Sequence, residues 1–183
     1  MSPKKALTFW FTGLSGAGKT TLAYQAAQKL EREGKSICIL DGDQIRQKQS
    51  AHLSFTPEDI RKNNQIVSQL CLERRYQYDY IFVPLISPFE EVRSWARSLI
   101  GETFFLVYVK ASLENLIEKD VKGLYKKALR GEIENFIGIG EKVPFEEPKS
   151  ADFTIQTDRE AVMESVEKLI HFVKEKDAAL NHV

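Results

Sequence analysis

Short, continuously apolar runs alternate along this chain with longer segments whose apolar positions recur every three or four residues. The runs Leu7–Thr12 (LTFWFT), Ser36–Leu40, Tyr80–Ile86 and Phe104–Val109 read as strands, with a weaker one at Phe153–Gln156. Runs without polar alternation suit strands whose sheet is covered on both faces. Lys19–Glu33 puts Leu22, Ala23, Ala26, Ala27 and Leu30 on one helical face, and Gly34 stops it. Pro57–Tyr76 follows Thr56, a suitable N-cap, with Asp59 three residues on. Phe89–Ile100, Leu113–Lys119 and Arg159–Lys176 complete the helices. Strands alternating with helices predict an α/β fold of three layers, a mostly parallel five-stranded sheet with helices on both faces.

The segment from Asp120 to Pro148 breaks this rhythm. It carries four glycines, two prolines and the cations Lys122, Lys126, Lys127 and Arg130. A long, basic, glycine-punctuated insertion reads as a functional lid or a disordered loop.

Composition narrows the classes. At 183 residues the chain is expected to form one domain. Lys and Arg total 26, as do Asp and Glu, so no global field draws it to nucleic acid or an anionic membrane. No apolar run approaches a membrane span, and the N-terminus lacks signal-peptide features. Cys38 and Cys71 sit in apolar settings and read as buried, reduced thiols. A cytoplasmic protein with local anion sites is expected.

One such site is explicit. The first strand runs into Gly13-Leu14-Ser15-Gly16-Ala17-Gly18-Lys19-Thr20-Thr21, which fits G-x-x-x-x-G-K-[ST] between a strand and a helix. Its glycines let several backbone N–H groups face one phosphate, and the helix adds its positive end. Lys19 would reach the β- and γ-phosphates of ATP, and the Thr20 hydroxyl would hold Mg²⁺. The second strand then runs into Asp41-Gly42-Asp43-Gln44-Ile45-Arg46, where charges at a strand's carboxyl end would face the nucleotide. These carboxylates could position a metal-bound water or accept a proton from an acceptor hydroxyl; the alternative is a surface turn capped by an Asp. Arg46 would suit an anionic acceptor. No N-K-x-D guanine-reading motif is present, which argues against a switch GTPase.

Six segments in order from Gly13 to Pro148 resemble the adenylylsulfate kinase family: GLSGAGKTT, LDGDQIR, LSFTPEDIRKNN, ISPFEEVR, KDVKGLYKKALRGEIENFIGI and PFEEP. KGLYKKA followed by GEI is the most specific, because generic P-loop kinases lack it. The resemblance implies a P-loop α/β kinase domain over residues 1–183, with a lid at 120–148, often a homodimer. It implies transfer of the γ-phosphoryl of ATP to the 3′-hydroxyl of the small nucleotide adenylyl sulfate, a reaction of sulfate assimilation. By position, Asp43, with Asp41 nearby, orients that hydroxyl and accepts its proton. Arg46 and Asn63 bind the acceptor, Phe55 and Phe136 sandwich its adenine, and Ile86, Ser87 and Pro88 touch it. Lys122 and Leu124 belong to the lid. Phe55 and Phe136 could otherwise be core aromatics.

Departures from the family pattern stand at Ile60, where the family has an acceptor-contacting arginine, at Lys119, again for arginine, and at Glu90, for a cation. Residues 135–140 also differ, and two extra residues precede Pro144. All three named departures are expected to bear on the choice of acceptor. A kinase of another nucleotide, such as a cytidine diphosphate derivative, is therefore an alternative. A nucleotide-binding module without transfer activity is a third.

Overall fold

The computed structural model describes residues 4–49, 52–140 and 142–181. Five strands, β1 (Leu7–Thr12), β2 (Ile37–Ile39), β3 (Tyr80–Pro84), β4 (Phe104–Lys110) and β5 (Phe153–Gln156), form one sheet in the order β2-β3-β1-β4-β5. Every pairing is parallel, with Phe9 opposite both Phe82 and Phe105. Among the described residues seven α-helices accompany them: α1 (Lys19–Arg32), α2 (Gly42–Gln49), α3 (Pro57–Arg74), α4 (Glu90–Ile100), α5 (Leu113–Lys119), α6 (Leu124–Leu129) and α7 (Val162–Asn181).

Alternate residues of each strand face opposite ways, so one continuous apolar run serves two cores. Leu7, Phe9 and Phe11 pack against Leu22, Ala26 and Leu30 of α1 and Leu169 and Val173 of α7. Trp10, Ile81, Val83 and Leu106 face the other way, onto Val67 and Cys71 of α3 and Ala96 of α4. Both cysteines are buried and unpaired, and burial pushes the Cys71 thiol well above its usual range.

Differences from the sequence expectation have local causes. β3 ends at Pro84, which has no N–H to continue the ladder. α7 starts at Val162 rather than Arg159 and continues to Asn181. Two short helices, α2 and α6, appear where periodicity is too brief to announce them. α2 is set by capping, since Asp41 Oδ1 accepts the N–H groups of Asp43 (3.0 Å) and Gln44 (3.3 Å). α6 lies in the basic segment and is held likewise by Asp120, whose carboxylate accepts from the N–H groups of Tyr125 and Lys126. No described helix is long and apolar enough to cross a membrane.

Candidate active site

The carboxyl ends of β1, β2 and β3 converge on one groove. After Thr12 the chain turns at Gly13 with φ +149°, and a Cβ there would lie 2.3 Å from the Val109 carbonyl oxygen. Only glycine fits that approach. Gly18, in the left-handed region, starts α1, whose first turn carries no acidic residue and so keeps its positive end for an anion. Lys19 is buried and donates to the carbonyls of Gly13 (2.8 Å) and Leu14 (2.7 Å). Burial first, then the nearby Lys122 ammonium, lowers its pKa to about 7, against partial support from Asp43 and Asp41. A triphosphate would restore the charge that burial disfavours.

Asp41 is 6% exposed and serves two elements. One oxygen caps α2, and the other accepts from the Thr20 hydroxyl at 3.1 Å. The sequence left an N-cap and a chemical role as alternatives; the cap is real, and it also fixes a carboxylate beside Thr20. Asp43, in the first turn of α2, is exposed and lies 3.5 Å from the Lys122 ammonium of the basic segment. An exposed pair of this kind contributes little to stability.

A cavity of about 310 Å³ runs from Ser15, Gly16, Gly18, Lys19, Thr20 and Thr21 to the remaining candidates. Asp41, Asp43, Arg46, Phe55, Asn63, Ile86, Ser87, Pro88 and Lys122 all line it. An adjoining cavity of about 270 Å³ adds Leu124 and Phe136 and shares Asp43, Phe55, Ile86 and Lys122 with the first. The two aromatics thus face one space rather than the core. Phe55 is 43% exposed and carries the Arg46 guanidinium over its ring at 4.4 Å. Asn63 is buried in the cavity floor. Ser87 has φ +43°, a strained value for a non-glycine, and its buried Oγ has no partner among the described residues. Its carbonyl is pinned by the Thr12 hydroxyl (3.1 Å) and by Arg93 (2.7 Å).

Three residues of the loop motif point elsewhere. Gly13 packs under Val109, Leu14 lies against Gly138 of the basic segment, and Ala17 lines a second groove on the far side of the loop. That groove, about 170 Å³, is walled by Asn115, Leu116, Lys119, Thr157 and Asp158. The Thr157 hydroxyl donates to the Ala17 carbonyl (2.8 Å), and Asp158 accepts from Ser112 N–H and from Asn115. Apart from Lys119, sequence reasoning missed these residues. The rule that ligands sit beyond strand carboxyl ends, applied to β5 as it was to β2, would have found Thr157 and Asp158.

The three departures separate in space. Ile60, 2% exposed, lines the main cavity and packs with Ile137, Phe89 and Val143. Lys119 lines the second groove and also a small cavity shared with Ser15, Lys122 and Leu124. Glu90 lines none of these; it pairs with the buried Arg93 at 2.7 Å. Of the three, Ile60 alone lines the main cavity. Its Arg61 neighbour turns outward to Glu91, as helical spacing requires.

A parallel sheet with a glycine-rich loop feeding α1, an acid pair at the end of β2 and a basic segment over the groove defines a P-loop kinase. A gluconokinase from Sinorhizobium meliloti, 14% identical with a TM-score of 0.67 over 98% of both chains, has the same fold. The family model for adenylylsulphate kinase matches residues 5–156, and the chain belongs to that family. Its relatives include the adenylyl-sulfate kinase of Halothermothrix orenii, 45% identical over 96% of this chain and 94% of that one. The adenylyl-sulfate kinase of Paraburkholderia xenovorans is 42% identical over 93% and 94%. The APS kinase of Mycobacterium tuberculosis, solved in complex with AMPPNP and APS, is 35% identical with a TM-score of 0.88, over 94% of this chain and 99% of that one.

Proposed function

We propose that this chain transfers the γ-phosphoryl group of ATP to the 3′-hydroxyl of adenylyl sulfate. The observation that carries the reading is one continuous groove, from Lys19 and Thr20 past Asp43 and Lys122 to Phe55 and Phe136. The cradle N–H groups and Lys19 hold the donor phosphates. The acceptor base stacks between Phe55 and Phe136, which presents its ribose toward Asp43. Asp43 takes the hydroxyl proton as the new O–Pγ bond forms and the bond from Pγ to the β-phosphate oxygen breaks, releasing ADP. The lid excludes water, the competing acceptor, and Lys122 supplies positive charge beside the reacting groups.

The Thr20 hydroxyl and Asp41 carboxylate suit the small protein share that Mg²⁺ takes beside phosphate oxygens and water. Held there, Mg²⁺ would supply charge neutralisation for the β- and γ-phosphates. A homodimer in the cytoplasm completes the proposal on family resemblance alone.

Ile60 favours a second reading. An apolar wall where the family has arginine removes a charge-assisted contact to the acceptor's anionic part, which suits another nucleotide such as a cytidine diphosphate derivative. Coupled ADP release with Mg-ATP and a panel of nucleotides tests both. Turnover with adenylyl sulfate is expected; turnover only with a cytidine diphosphate derivative would replace it, and none with any acceptor would leave a binding module.

A further inference from the structure

Tyr125, 3% exposed at the start of α6, touches both halves of the groove. Its hydroxyl donates to the Ser15 carbonyl in the phosphate loop at 2.8 Å. Its ring meets Phe136 edge-on, with centroids 5.1 Å apart and planes at 75°. Asp120 fixes the backbone beneath it by accepting from the Tyr125 and Lys126 N–H groups, each at 3.0 Å. Burial raises the phenol to about 12, so it remains a donor through the neutral range.

The peptide joining Ser15 to Gly16 is a rigid plane whose C=O and N–H point opposite ways. A phosphate that draws in the Gly16 N–H therefore also fixes the Ser15 carbonyl. We propose that Tyr125 is a positioning residue that couples the two ligand sites: donor phosphate in the cradle orients Phe136 for the acceptor base through the Ser15 carbonyl and the Tyr125 ring. Bound triphosphate then tightens the acceptor, and the acceptor tightens the triphosphate by the same factor. The inference rests on the ligand assignments proposed above.

Calorimetric titration of adenylyl sulfate, with and without Mg-AMPPNP, tests it in the wild type and in Tyr125→Phe. The phenylalanine keeps the ring against Phe136 and deletes the bond to Ser15. Wild type is expected to bind adenylyl sulfate more tightly with AMPPNP present. In the variant that enhancement should fall roughly three- to tenfold, the range of one hydrogen bond, while each ligand alone binds as in wild type. Tyr125→Leu, which also removes the ring, should weaken the acceptor even without AMPPNP. An equal enhancement in wild type and Tyr125→Phe would overturn the coupling. So would weaker binding of either ligand alone with the enhancement intact, which marks a structural role only. A wild type that binds AMPPNP but no adenylyl sulfate would remove the acceptor assignment first, and the coupling with it.

Discussion

The proposed donor and acceptor halves of the groove lie side by side but are built from different material. The donor half is backbone: one turn between β1 and α1, held by Gly13 against the Val109 carbonyl and by the Gly13 N–H donating to Ile86 O at 3.3 Å. The acceptor half is mostly side chain, contributed by α2, the turn at residues 53–56, α3, the turn after β3 and the basic segment. Backbone geometry tolerates almost no substitution, whereas a side-chain surface can change residue by residue while the fold stands. Ile60 illustrates the second case, for it lies in a packed apolar cluster.

The sharpest way to break the contrast is at Asp43, where the halves meet. Asp43→Ala is expected to lower kcat about a thousandfold or more, within the range for loss of a general base. AMPPNP affinity should stay near the wild-type value, because Asp43 supports the Lys19 charge only in part and Asp41 remains. Turnover within tenfold of wild type would remove Asp43 from the mechanism.

Gly13→Ala should damage the donor half through the fold itself. The new Cβ meets the Val109 oxygen and demands a φ that L-residues avoid, at a cost of about 3 kcal/mol. Chemical denaturation reads this loss, and AMPPNP binding should fall with it. A stability within about 0.5 kcal/mol of wild type would show that the turn can relax.

The same contrast explains how much could be read from the chain. The cradle was legible because nine consecutive residues encode it, and strand–turn–helix context follows from local periodicity. The five strands were legible for the same reason. By contrast, Phe55 and Phe136 lie far apart in sequence, and only resemblance pointed to them; the cavity they share with Lys122 depends on how the basic segment folds back. α2 was hidden because a single apolar position, Ile45, faces the core, while its cap Asp41 looked equally like a turn.

Phe136→Ala tests the side-chain half without touching the backbone one. Losing one stacking face is worth about 1–3 kcal/mol per base, so the acceptor KM should rise about tenfold or more. The KM for ATP should move far less. Equal increases in both would mean that Phe136 supports the lid as a whole rather than the acceptor base.

Asp177 supplies the smallest effect on activity, because it sits at the opposite end of the sheet. It accepts from Lys4 (3.0 Å), Lys35 (3.0 Å) and the Tyr80 hydroxyl (2.8 Å), all near the amino ends of β1, β2 and β3. Burial by itself would raise its pKa, but bonds from Lys35, Lys4 and Tyr80 outweigh burial and hold it at about 2. An unfolded aspartate titrates near 3.9, so the folded value is depressed. Its stabilisation is fully present above about pH 4 and is lost as pH falls through about 2. Asp177→Asn should therefore cost about 1–2 kcal/mol at pH 7 and flatten the acid limb of stability against pH. Both KM values should remain at wild type. A change in either would mean that strain at the amino ends of the strands reaches their carboxyl ends, and the two halves of the groove would then share a determinant that their separate construction does not provide.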